Sequence, residues 1–155
     1  MKKILYFFVF AFVISSCSKK TVEADPADQV LGTYKATSFT QTTNGIGLTY
    51  DLTSASLKDV VQITFDISKK SASVITINLT FAQKDATTGK TTTSKDSFDS
   101  VDLKSPASGV FEIYSGAAKL GTVGNGALTI EDNYSSTDSN GKAVQVKDTY
   151  IAKKQ

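Results

Sequence analysis

The chain has no His, no Trp and no Arg, a single Cys and two Pro, and all 17 of its basic residues are Lys. These absences close whole classes of chemistry. Without His or a spare Cys there is no Ser-His-Asp or Cys-His catalytic centre, and a zinc site would have carboxylates alone to work with. Without Arg the bidentate phosphate contacts typical of nucleic-acid binders are missing. One Cys permits no intrachain disulfide, so the fold must hold by its core. Few Pro, ten Gly and 38 Ser and Thr in 155 residues lean toward β-sheet. The length is that of one domain.

The longest apolar run stands at the very start. Met1-Lys2-Lys3 is followed by 11 apolar residues, Ile4 to Ile14, and then Ser15-Ser16-Cys17. As a helix this run spans only about 16 Å, half of a bilayer's hydrocarbon core, so it reads as a secretory signal peptide over residues 1–16 rather than a permanent membrane span. Its removal takes Lys2 and Lys3 with it and leaves 15 Lys against 15 acidic residues. A mature chain of zero net charge has no electrostatic basis for binding nucleic acid.

Ile14-Ser15-Ser16-Cys17 resembles the bacterial lipobox, in which an aliphatic and two small residues precede the Cys that is acylated and becomes the mature N-terminus. The resemblance implies lipid attachment at Cys17, and two or more acyl chains hold a domain on a bilayer without a protein helix. Ser18 in place of Asp implies the outer membrane. The basic Lys19-Lys20 favours its periplasmic face over the cell surface. Residues 17–29 are then the lipidated N-terminus and a tether, aperiodic and containing Pro26, with a reach of roughly 40 Å over 12 residues.

Residues 30–155 alternate with a period of two. Val61, Ile63, Phe65 and Ile67 share one face, and after the polar Ser68–Ser71 stretch so do Ile75, Ile77, Leu79 and Phe81. This predicts an antiparallel hairpin with one apolar face. A second hairpin is predicted from Leu128, Ile130, Asp132 and Tyr134 before Asn140-Gly141, read as a type I′ turn pair, and Val144, Val146, Asp148 and Tyr150 after it. Weaker strands fall at 32–41, 46–52, 90–103 with a break, 110–115 and 117–123. No helix is predicted beyond one turn at Leu57-Lys58-Asp59-Val60. Seven to nine strands in short-loop succession predict an all-β, antiparallel up-and-down meander closing into a barrel of about eight strands; a two-sheet β-sandwich is the alternative.

Leu31-Gly32-Thr33-Tyr34-Lys35 resembles the opening strand of lipocalin-like bacterial lipoproteins, and Asp148-Thr149-Tyr150-Ile151-Ala152-Lys153-Lys154 is similar to their last. Tyr34 stands where lipocalins have a Trp under the barrel. The implied function is non-catalytic binding of a small apolar or amphiphilic molecule inside the barrel, with no cofactor. Tyr34, Phe65, Phe81, Tyr134 and Tyr150 fall on inward faces by alternation and are the candidate pocket residues. The alternative is an envelope interaction module that binds a protein or polysaccharide through its loops or outer face. Catalytic motifs are weak by comparison. Gly89-Lys90-Thr91 lacks the first Gly of a phosphate loop, Ser139-Asn140-Gly141-Lys142 reads as an exposed turn, and Asp96, Asp99, Asp102 and Glu112 do not have calcium-loop spacing. Asp132 and Asp148 are the one carboxylate pair that a hairpin brings onto a shared face.

Overall fold

The computed structural model describes residues 24–107 and 109–155. The expected signal peptide and Cys17 lie outside the described residues. Nine strands follow one another: β1 (Gly32–Thr43), β2 (Ile46–Asp51), β3 (Val61–Ser71), β4 (Val74–Lys84), β5 (Thr91–Ala107), β6 (Val110–Ser115), β7 (Ala118–Gly124), β8 (Ala127–Thr137) and β9 (Ala143–Lys154). All neighbours run antiparallel, and β1 also pairs with β9, so eight strands close a barrel with β2 as an extra strand. The two predicted hairpins are β3–β4, with Phe65 opposite Leu79, and β8–β9, with Ile130 opposite Tyr150. The expected break in the fifth strand is a bulge: Ser100 has φ +58°, and pairing with β4 jumps from Phe98 to Val101.

The registers show that closure belongs to one half of the barrel. β6 and β7 form a short hairpin that pairs with β5 only from Asp102 onward and with β8 only up to Ile130. Residues 91–100 of β5 and 131–137 of β8 therefore have one ladder edge without a partner among the described residues. On the other side β1 pairs with β3 only over Gly32–Lys35, and β2 takes its edge from Ser38 onward. The lower half is a closed ring. The upper half is two leaves, β2-β1-β9-β8 and β3-β4-β5, facing each other across a cleft. Both halves of the barrel-or-sandwich expectation thus have a physical counterpart, with ring closure as the overall topology.

The closed half is solid. Tyr34, Phe65, Ile75, Ile77, Ile113, Leu128 and Ile130 are all at most 1% exposed, and each such side chain contributes roughly 1.5–3 kcal/mol by burial. The floor is a short helix, α1 (Pro26–Val30), whose Ala27 and Val30 are fully buried. Here the tether expectation is corrected. The tether was drawn to residue 29, but α1 belongs to the domain: Pro26 pre-sets φ in its first turn, the Ala27 amide donates to the Ala72 carbonyl at 3.0 Å, and Lys69 Nζ bridges Asp25 and Asp28 at 2.8 Å each. Tyr34 Oη donates to the Val30 carbonyl at 2.8 Å, and Lys154 Nζ lies 6.0 Å from the Tyr34 ring centroid. Ladder, plug and core, as far as the described residues go, lie within residues 24–155.

The β8–β9 loop is longer than a two-residue turn, as the polar stretch Ser135–Ser139 before Asn140-Gly141 implies, and the pair does not adopt the type I′ conformation. Asn140 does not have positive φ; the Asp138 carboxylate accepts the amides of Asn140 and Lys142 at 2.9 Å and shapes a wider loop. The pairs with positive φ at both central positions are Asn44-Gly45, at +50° and +84°, and Asn125-Gly126, at +51° and +75°. The short strand expected at 117–123 is β7, Ala118–Gly124.

Candidate ligand cleft

The cleft between the two upper leaves has an apolar end and an acidic end. At the apolar end, beside β2, a hollow of about 250 Å³ is lined by Phe39, Gln41, Tyr50, Leu52, Leu57, Val61, Ile63, Phe81 and Gln83. The chain reaches this arrangement because Asn44-Gly45 folds β2 back on β1 in register, placing Tyr50 opposite Phe39 and Leu48 opposite Gln41 on the inward face. After β2 the Asp51 carboxylate takes the Thr53 amide and hydroxyl, starting the turns that bring Leu52 and Leu57 under the hollow. The one-turn expectation at Leu57–Val60 matches bonds from the Val60 and Val61 amides to the Leu57 carbonyl.

A second hollow of about 360 Å³ shares Ile63 and Phe81 and adds Leu79, Ser94, Lys95, Asp96 and Tyr150. Tyr150 is the hinge of the site. Its ring stacks on Phe39, centroids 5.0 Å apart, and meets the edge of Phe65 at 5.5 Å; Phe39 in turn stacks on Tyr50 at 6.0 Å. Four aromatic rings, Phe65, Tyr150, Phe39 and Tyr50, therefore run in sequence from the core to the cleft's outer lip.

On the acidic side Asp148 is 8% exposed, the one charged side chain buried to this degree among the described residues. Its carboxylate accepts from Gln41 Nε2 at 3.1 Å and from Tyr134 Oη at 3.3 Å. Asp132 faces it directly across the β8–β9 ladder. The field of these acids is felt at the tyrosines. Burial, then Asp148, Asp132, Tyr134 and Asp96 push the Tyr150 phenol up to about 12, and burial followed by Asp148 raises that of Tyr134.

The five pocket residues expected from alternation divide by height. Phe81 and Tyr150 line the cleft, and Tyr134 stands at its rim, 39% exposed. Tyr34 and Phe65 do not reach it: they point inward as expected but lie in the packed half, Tyr34 against the plug and Phe65 beneath Tyr150. The alternation missed Phe39 and Tyr50, although Asn44-Gly45 between them carried the signal. The carboxylate pair Asp132 and Asp148 does come together, but both residues stand on the same leaf. A glycosidase needs its two carboxylates on opposite sides of the scissile bond, and this pair offers only one wall. Of the four acids weighed for calcium, Asp99 holds Lys70 at 3.0 Å and Thr76 at 2.9 Å, Glu112 holds Lys119 and Tyr114, Asp102 stands opposite Tyr114 in the β5–β6 ladder, and Asp96 faces the cleft. Among the described residues no three metal-ligating side chains converge.

Compared with protein-family models, curated proteins and solved structures, the chain matches none of them.

Proposed function

We propose that this protein is a non-catalytic, lipid-anchored lipoprotein of the outer membrane, facing the periplasm, that binds a small amphiphilic molecule in the cleft between its upper leaves. The carrying observation is the division of the barrel. Its lower half is filled by its own side chains, whereas its upper half presents a hollow with aromatic walls, one of whose lining residues, Gln41, holds the buried carboxylate of Asp148 behind it. Small-molecule sites combine such apolar walls with a few placed polar groups. Compared with the pocket read from alternation, the site moves upward: Phe39, Tyr50, Phe81 and Tyr150 form its walls, and Tyr34 and Phe65 support it from below.

Native mass spectrometry of the protein purified gently from its own cells tests the reading. A retained molecule of low mass, lost on substitution of Phe39 and Tyr50 by Ala, is the expected result. A clean apo mass shifts the weight to a second reading, which one observation favours: the outer edge of β2 is uncovered, and Ile46 and Leu48 on this strand are 77% and 64% exposed. Such an edge pairs readily with an extended segment of an envelope protein.

A further inference from the structure

We infer that the cleft is selective for a cationic amphiphile: an organic ammonium held by Asp148, with Asp132 and Asp96 nearby, its apolar body lying along Phe39 and Tyr50. This rests on the ligand-cleft reading and specifies the chemistry of the ligand.

The first ground is the burial of an acid without a counter-ion. Five acids hold a Lys: Asp25 and Asp28 share Lys69, Asp99 holds Lys70, Glu112 holds Lys119 and Glu131 holds Lys147. The other described acids hold none, and of these Asp148 alone is buried, the rest being wholly or partly open to solvent. Among the described residues no Lys lies within ion-pair distance of Asp96, Asp132 or Asp148. Lys95 borders the cleft but pairs across the ladder with outward Thr80, while Asp96 pairs with inward Leu79. Asp148 meets two neutral donors, Gln41 and Tyr134, which satisfy its hydrogen bonds and leave its charge uncompensated.

The second ground is energetic. An ionised carboxylate loses several kcal/mol on leaving water, and only an opposite charge restores most of this. Asp148 is more than nine-tenths buried with a second carboxylate opposite it in the ladder, so an ammonium arriving there relieves two like charges at once. An anionic head meets repulsion from the same pair. A neutral sugar uses the hydrogen bonds and leaves the charge as it was.

The third ground is the lining. The faces of Phe39, Tyr50 and Tyr150 form a continuous run, and such faces attract an alkylammonium through the ring quadrupole as well as through apolar contact. Asp148 and Asp132 sit on the β8–β9 leaf and Asp96 borders the cleft from β5, while the apolar hollow lies on the β2 side, so a ligand with one charged and one apolar end fits in a single orientation.

Isothermal titration calorimetry on the purified protein at pH 7 with three probes sharing a hexyl chain tests this: hexyltrimethylammonium, hexyl glucoside and hexyl sulfate. The ammonium is expected to bind at least about tenfold more tightly than the glucoside, and the sulfate more weakly than either. Asp148→Asn should bring the ammonium to the level of the glucoside. Asp96→Asn, at an exposed position outside the core, should weaken the ammonium several-fold and serves even where the Asp148 variant fails to fold. Glucoside binding as tightly as ammonium, or an ammonium affinity untouched by Asp96→Asn and Asp148→Asn, overturns the charge selectivity and leaves the cleft standing. No binding of any probe overturns both.

Discussion

Tyr150 sits where the packed half of the barrel ends and the cleft begins, and its phenol reports on both. Ionising it would place a negative charge between Phe39, Phe65 and the carboxylates of Asp148, Asp132 and Asp96, which is why its pKa stands near 12 instead of 10. A phenol with a folded-state pKa above its unfolded one keeps its proton longer in the folded chain. Its contribution to stability is whole below pH 10, falls as pH rises through the interval from 10 to 12, and is gone above it. The two-unit gap corresponds to about 2.7 kcal/mol at most, reduced by solvent screening at this partly buried ring. Chemical denaturation measured from pH 9 to 12 should show a steep loss of stability that flattens in Tyr150→Phe, while absorbance at 295 nm loses one late-titrating tyrosine. An unchanged slope in the Phe variant would show that the acids do not act on this ring.

At the scale of elements the informative strand is β7, because its brevity opens the cleft. It passes so close to its neighbours that a Cβ on Gly121 would stand 2.0 Å from the Thr129 carbonyl oxygen, and one on Gly124 2.1 Å from that of Gly109, with φ at +146° and +153°. Gly124→Ala must therefore push backbone against backbone in a conformation that L-residues avoid, and a loss of about 3 kcal/mol or more is expected. Gly126→Ala, at φ +75° with nothing within 4 Å of the new methyl, should lose only about 1–2 kcal/mol. Urea unfolding of the two variants side by side checks the difference, and equal losses would refute the close approach. These glycines also mark where sequence reading stops. Alternation revealed β3, β4, β8 and β9 and the inward face of each, because a one-residue slip exposes the whole apolar set. It carries no information on height along the barrel, so Tyr34 and Phe65 read as equal to Phe81 and Tyr150 although one pair is core and the other cleft wall. α1 stayed hidden because five residues complete no helical repeat. The Asn140-Gly141 pair misled because Asp138, two residues upstream, captures the loop amides first.

For the whole molecule, floor and mouth lie at opposite ends of the barrel, and the chain enters at the floor. α1 closes that end with Ala27 and Val30. Under the proposed anchor at Cys17, the eight residues from there to Asp25 would have a reach of roughly 28 Å and would present the domain bottom first. On this reading the cleft points away from the bilayer, toward solutes rather than toward lipid. The proposal makes anchoring and folding separable, since the described core lies from Asp25 onward and the proposed anchor upstream of it. Cys17→Ser should leave the precursor unprocessed or release the domain from the membrane fraction, with the melting temperature of the domain unchanged; removal of residues 24–31 should keep the lipid and lose cooperative melting, because it unroofs Tyr34 and the floor of the core. Fractionation of cells carrying each variant, followed by thermal melts of the recovered domain, measures both halves. Normal membrane retention of Cys17→Ser would refute the anchor and leave the barrel and its cleft as they stand.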